Sequence, residues 1–231
     1  MVFAPDLSVL LQALVRTDTP ALPDAALRQI CVQMLWGLLL AAAVWRAGSR
    51  MPARWRLGCA ALTAAWAATP GPASAAYWLE MAFAAPSWTS ALFCGLWLYG
   101  QRHQRADRAA QRAPTPAALI SWPLAVIGMG LGWLLALDTF ALLPWGDSLY
   151  AWGFSPLATA GMVLLAAAAW VMRPSWGSAV PVLAVALCAL TRMPSGNVWD
   201  AVLDPFLWLY LHGALALQLW RWLGDRAKPT Q

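Results

Sequence analysis

Residues 117–137 read AALISWPLAVIGMGLGWLLAL, a run of 21 residues without one charged side chain. An α-helix needs about 20 mostly apolar residues to cross the hydrocarbon core of a bilayer. A helix that is apolar on every face must be buried completely, either in a large protein core or in lipid. This stretch therefore predicts a membrane-spanning helix.

The composition of the whole chain points the same way. Of its 231 residues, 61% are hydrophobic and 11% are charged, whereas a soluble domain has roughly 45–50% and 25%. The 17 tryptophans suit a chain that crosses two headgroup layers, where indole rings accumulate. Fourteen arginines against one lysine, Lys228, are typical of a GC-rich bacterial genome. We therefore predict an all-α, polytopic transmembrane helix bundle in a bacterial inner (cytoplasmic) membrane, with the lipid bilayer as its first partner.

Seven runs have the length and apolarity of a span, although two of them are short and would need tilt or extension. Prolines inside these runs, at positions 86, 123 and 181, predict kinks. The runs cover residues 26–45, 55–69, 80–99, 117–137, 152–172, 176–191 and 203–222.

The charged residues predict which side each loop occupies, because cytoplasmic loops carry an excess of arginine and lysine. With the N-terminus outside and the C-terminus in the cytoplasm, 12 of the 15 basic residues lie inside and eight of the ten acidic residues lie outside. Net charge is then +10 on the inner side and −5 on the outer side. The inner basic residues are Arg46, Arg50, Arg54, Arg56, Arg102, Arg105, Arg108, Arg112, Arg173, Arg221, Arg226 and Lys228.

The chain divides into three predicted parts. Residues 1–25 form a short amphipathic segment, interpreted as an interfacial helix on the outer face, with a frayed tail as the alternative. Residues 26–222 form one transmembrane bundle, and residues 223–231 form a short cytoplasmic tail.

Several chemistries have no support in the sequence. The one lysine lies outside the predicted spans, which argues against a phosphate-binding P-loop and a retinal Schiff base. The two histidines, His103 and His212, fall at different depths, and the four cysteines show no C-x-x-C spacing. The formal charge of +5 comes from short clusters at the predicted span ends, so it does not indicate nucleic-acid binding. We expect no cofactor and no metal, and the catalytic residues, if any, are unknown.

The most distinctive polar segment is residues 192–205, RMPSGNVWDAVLDP. Asp204 followed by Pro205 predicts an N-cap with proline at the first helical position, so the last helix should begin there. Asn197 is expected to cap a preceding short turn that would present Asp200 near Asp204. Asp200 could pair with Arg192, be solvated or bind a ligand cation, and pairing is the simplest expectation.

Three other ionisable residues are candidates for binding or interaction. Carboxylates at the hydrocarbon boundary are costly unless paired or hydrated, so Glu80 and Asp138 are expected to face the bundle interior and to form an outer vestibule with Arg192. The alternative is that these residues only help to set the membrane topology.

His212 lies two turns below Asp204, about 12 Å deeper. At that depth it is either a functional group or a neutral histidine that forms hydrogen bonds between helices.

The glycines of the G-x-x-x-G stretch Gly128–Gly132 allow close helix approach. We interpret this stretch as packing within the bundle rather than as a dimerisation face.

These patterns favour a non-catalytic integral membrane subunit: a scaffold or assembly partner of a larger envelope complex, bound to other membrane proteins through a polar periplasmic surface. Mid-span tryptophans (Trp36, Trp66 and Trp133) could supply helix–helix surfaces. Whether the protein is an enzyme stays open. One alternative is an enzyme acting on a lipid-linked or membrane-embedded substrate at the outer face. Another is a small-solute transporter with a site near His212.

Overall fold

In the computed structural model, the described residues are 12, 14–16, 22–103, 120, 122–144, 146–172 and 174–226. These residues form α-helices, turns and loops, with no β-strand among them, so the predicted all-α class is confirmed. Ten α-helices lie within this part of the chain: α1 (Ala25–Ala47), α2 (Ala53–Ala67), α3 (Ala75–Phe83), α4 (Trp88–His103), α5 (Trp122–Thr139), α6 (Leu149–Trp152), α7 (Pro156–Met172), α8 (Trp176–Thr191), α9 (Val198–Val202) and α10 (Pro205–Arg226).

Seven of these helices are 15 residues or longer, and they follow the order of the seven predicted runs. At 1.5 Å per residue their lengths run from about 23 to about 35 Å. By length and hydropathy together, two described stretches qualify as membrane spans, Ala25–Arg50 and Trp122–Thr139. Of the residues in the apolar 18-residue window of each stretch, 44% are buried within the protein in the first and 11% in the second. The helices α7 and α8 are apolar but shorter.

The long helices pack through alanines and a few large side chains. The helix α1 packs on α2 and α4, α8 packs on α4 and α7, and α5 packs on α10. The main core surrounds Leu35 and Trp36 of α1 and extends to Cys188 of α8 and Met193 just after it. Small residues at such contacts allow backbones to approach closely, which is how helices associate in lipid.

The glycines of α5 confirm the expectation of internal packing. A methyl group added to Gly132 would lie 2.3 Å from Cδ1 of Trp208, and one added to Gly128 would lie 2.7 Å from a methyl carbon of Leu211. Both contacts are with α10, so these glycines let α10 lie directly on α5.

The third predicted run is wrong as a single helix. The helix α3 ends at Phe83 and α4 begins at Trp88, with an extended break between them. Pro86 lies in this break and cannot donate a backbone hydrogen bond. Ala84 has φ 60° and ψ −166°, a conformation that is adopted almost only by glycine and costs about 1–3 kcal/mol.

The other ends differ from the predicted runs in smaller ways. The run predicted to begin at Trp152 starts as a helix at Pro156, because residues 153–155 form turns. Pro123 falls in the first turn of α5, where its missing N–H is unused, whereas Pro181 lies inside α8. The helix α10 continues to Arg226, into the predicted tail. Most of residues 1–25, the basic stretch after residue 103 and the end of the tail lie outside the described residues.

Candidate functional site

The segment between α8 and α10 is docked on α6. Asn197 caps α9 through its Oδ1 atom, which accepts a hydrogen bond from the backbone N of Trp199 at 3.0 Å, so its predicted capping role is confirmed. The Nδ2 atom of Asn197 donates to the carbonyl of Tyr150 at 2.8 Å. The indole of Trp199 donates to the carbonyl of Leu149 at 2.9 Å. Asn197 is fully buried, so this contact fixes the position of the whole segment.

Gly153, which follows α6, allows this docking, and sequence reasoning missed it. Its carbonyl accepts a hydrogen bond from the backbone N of Val198 at 3.0 Å. A methyl group at this position would lie 2.0 Å from Oδ1 of Asn197 and 2.3 Å from Cδ1 of Trp199. The only signal in the sequence is that a glycine follows Trp152 in a turn, which indicates no particular partner.

The docked segment directs Asp200 toward α6. Its Oδ2 atom accepts hydrogen bonds from the hydroxyl of Tyr150 at 2.7 Å and from the hydroxyl of Ser195. Its other oxygen, Oδ1, has no hydrogen-bond partner among the described residues. The expected ion pair with Arg192 is wrong: Arg192 ends α8 in a left-handed conformation with φ 59°, and the carboxylate binds hydroxyl groups instead.

Burial is the largest cause of the pKa shifts of Asp200 and Tyr150. It raises the pKa of Asp200, and the hydrogen bonds from Ser195 and Tyr150 oppose that shift only in part. Burial, followed by the neighbouring charge of Asp200, raises the pKa of the Tyr150 phenol, so that hydroxyl stays protonated and donates. Among the described residues, Asp200 therefore has no cationic partner, and its Oδ1 atom accepts no hydrogen bond.

Asp204 joins the starts of two helices. Its Oδ1 atom accepts from the backbone N of Leu207 at 2.7 Å, which confirms the predicted N-cap of α10. Its Oδ2 atom accepts from the backbone N of Ser87 at 2.7 Å, at the start of α4. Asp204 is 6% exposed and Ser87 is fully buried. The positive ends of two helix dipoles thus face one carboxylate, which offsets the cost of burying its charge.

Glu80 and Asp138 do not form a common vestibule with Arg192. Glu80 forms an ion pair with Arg28 of α1. Asp138 accepts hydrogen bonds at 2.8 Å from the hydroxyl of Ser148 and from the backbone N of Tyr150, so it stabilises the start of α6. Each carboxylate has a local structural partner, and the two occupy different places.

A cavity of about 630 Å³ does open at this end of the bundle. Asp200 and Asp204 line it together, as expected, along with Arg28, Tyr150 and Ser195. Its remaining walls are the residues before α1, the extended break between α3 and α4, and the residues before α10. We call this the outer cavity; its lining residues are Leu22, Pro23, Ala25, Arg28, Phe83, Ala84, Ala85, Tyr150, Pro194, Ser195, Asp200, Leu203, Asp204 and Pro205.

His212 does not line the outer cavity and links α10 to α5. Its Nε2 atom accepts a hydrogen bond from the indole of Trp133 at 3.1 Å, and its Nδ1 atom lies 2.8 Å from the carbonyl of Trp208. The tautomer with the proton on Nδ1 satisfies both contacts. The ring also packs edge-to-face on both tryptophans. This is the interhelical hydrogen-bonding arrangement named above as one of two alternatives.

Comparison with protein-family models, curated proteins and solved structures gave no significant match. Within the described part of the chain, no three His, Cys, Asp or Glu side chains are grouped as metal ligands would be. The outer cavity combines mainly apolar walls with the Oδ1 atom of Asp200, which accepts no hydrogen bond from the described residues.

Proposed function

We propose that this chain is a multi-pass bacterial inner-membrane protein with seven spans, its N-terminus outside and its C-terminus in the cytoplasm. We further propose that it is a non-catalytic subunit, a scaffold or assembly partner within an envelope complex. In this account the outer cavity faces the periplasm and receives part of another membrane protein subunit.

The positions of the helix ends support the proposed topology. The outer cavity collects the starts of α1 and α10, the break between α3 and α4, the residues after α8 and the short helix α6. Every one of these lies on the acidic, outer side in the orientation that the arginines favour. Large exposed apolar side chains occur along α5 and α7, including Ile127, Leu164 and Leu165, each about 70% exposed. Lipid would cover such side chains.

One observation favours binding over catalysis: the carboxylates near the outer cavity have structural partners. Asp204 caps α10 and holds the backbone N of Ser87 at the start of α4, Asp138 stabilises the start of α6, and Glu80 pairs with Arg28. An enzyme that used Glu80, Asp138, Asp200 and Arg192 would need them around one substrate, and they are not brought together. The transporter alternative loses support as well, since both ring nitrogens of His212 have partners inside the α5–α10 contact.

What remains available in the outer cavity is suited to holding a partner. The walls are preformed, because the segment from Pro194 to Pro205 is fixed by Asn197, Trp199 and Asp204. The free Oδ1 atom of Asp200 can accept a hydrogen bond from a donor that enters the cavity. A rigid apolar pocket with one polar contact binds without a large ordering cost.

A site-specific photocrosslinker tests this proposal. We expect a crosslinker at Ala25, which lines the outer cavity and is exposed, to give one discrete adduct with another membrane protein in intact cells. The control position is Leu142, 67% exposed and outside the cavity. We expect Asp200→Asn to reduce the Ala25 adduct while membrane levels stay normal. Equal adducts at both positions, or none at Ala25, would contradict the proposal.

A further inference from the structure

A second cavity, of about 300 Å³, lies between α1, α4 and α10. Its walls are almost entirely apolar and include Leu39, Ala42, Phe93, Trp97 and Leu207. We call it the inner slot. It shares no lining residue with the outer cavity.

The inner slot runs along α1 toward the end of that helix. From Leu39 to Arg46 it spans eight residues of α1, a rise of about 10 Å. Ile120, which precedes α5, lines it as well. Arg46 and Ile120 both lie at the cytoplasmic ends of their helices in the proposed orientation, so one end of the slot faces the inner surface. Its other end is lined by Ser90, Phe206 and Leu207, near the starts of α4 and α10.

Arg46 is the one cation that lines the slot among the described residues. Its side chain is exposed and forms no hydrogen bond or ion pair within that part of the chain. A guanidinium presents a planar fork of donors that matches a phosphate group. The slot thus has an apolar body and a phosphate-binding group.

The dimensions of the slot limit what can occupy it. A helix with its side chains is about 10–12 Å across. A piece of such a helix as long as the slot would have a larger volume than the slot, which holds about 300 Å³. A soluble polar ligand would leave its polar groups unpaired against the apolar walls. A flexible hydrocarbon chain fills an irregular apolar slot without that cost.

We propose that the inner slot binds one acyl chain of an anionic phospholipid of the cytoplasmic leaflet, with the lipid phosphate on Arg46. The leaflet assignment rests on the proposed membrane orientation. The binding itself depends only on the slot and on Arg46.

The test is lipid retention by the purified full chain, measured by native mass spectrometry. The probes are phosphatidylglycerol and phosphatidylethanolamine with identical acyl chains. We expect the wild type to retain phosphatidylglycerol preferentially and Arg46→Gln to retain about fivefold less of it. The matched control is Arg50→Gln, which removes a charge four residues further along the chain, outside the slot, and should behave as wild type.

A second variant fills the slot. Cys94 lines it, and Cys94→Phe should reduce retention of both lipids equally if the chain still purifies as a monodisperse species. Equal loss with Arg46→Gln and Arg50→Gln would overturn the proposal, and so would unchanged lipid retention in a folded Cys94→Phe variant. A missing crosslink at Ala25 with intact lipid selectivity would contradict the partner function alone, so the two failures are distinguishable.

Discussion

Replacing Asp204 by alanine should destabilise the protein more than the loss of an ordinary helix cap. The carboxylate accepts one hydrogen bond at the start of α10, from Leu207, and one at the start of α4, from Ser87. An N-cap contributes about 1 kcal/mol. The buried N–H of Ser87 would also lose its acceptor, which costs about 1–3 kcal/mol. The two contributions together should lower the free energy of unfolding by about 3 kcal/mol.

Asp24 provides the matched control, since its Oδ1 atom caps only α1, at an exposed position. Asp24→Ala should cost about 1 kcal/mol. In a chain of this size each kcal/mol lowers the melting temperature by about 2–4 °C, so Asp204→Ala should lower it by about 6–12 °C. Asp204→Asn keeps one acceptor oxygen, so its decrease in melting temperature should lie between those of Asp24→Ala and Asp204→Ala.

The assay is thermal unfolding of the purified protein in one detergent, followed by circular dichroism at 222 nm. If Asp204→Ala and Asp24→Ala shift the melting temperature equally, the two-helix role of Asp204 is refuted. The same holds if Asp204→Asn matches the wild type.

Three further predictions concern single positions. Gly132→Ala should destabilise by about 1–3 kcal/mol, because the added methyl group meets Trp208, while Gly130→Ala, with open space around it, should be neutral or slightly stabilising in the same thermal assay. Ala84→Gly should raise stability by about 1 kcal/mol, since φ 60° with ψ −166° suits glycine; a lower melting temperature would contradict this. The raised pKa of Asp200 means that the folded chain holds a proton that the unfolded chain releases. Stability should therefore fall as pH rises from the ordinary carboxyl pKa to the raised one, and Asp200→Asn should remove that slope in melting curves taken across pH.

The parts of the site that sequence predicted are those set by neighbours along the chain. The capping roles of Asp204 and Asn197 could be predicted because an N-cap binds residues two or three positions ahead. The bond from Ser87 to Asp204 joins residues 117 positions apart, and no local pattern indicates it. Tyr150 and Asp200 are likewise adjacent in space but 50 positions apart in sequence, so no local pattern indicated the part played by Tyr150.

The errors have physical causes as well. The Arg192–Asp200 pair was expected because opposite charges lie eight residues apart. Docking of Asn197 and Trp199 on α6 instead turns Asp200 toward Tyr150. The helix ends predicted from the apolar runs lie close to the observed ends where a run is bounded by charged residues or by a capping residue. They failed at residues 84–87, where an apolar composition conceals an extended break.

In the proposed topology, the outer cavity faces the periplasm in a seven-span protein. Fusion reporters test it most directly, using one reporter active only in the cytoplasm and one active only outside. The account predicts cytoplasmic activity for fusions after Arg112 and at the C-terminus, and external activity for a fusion at Asp147, which precedes α6 and its cavity residue Tyr150. Cytoplasmic activity at Asp147 would contradict it.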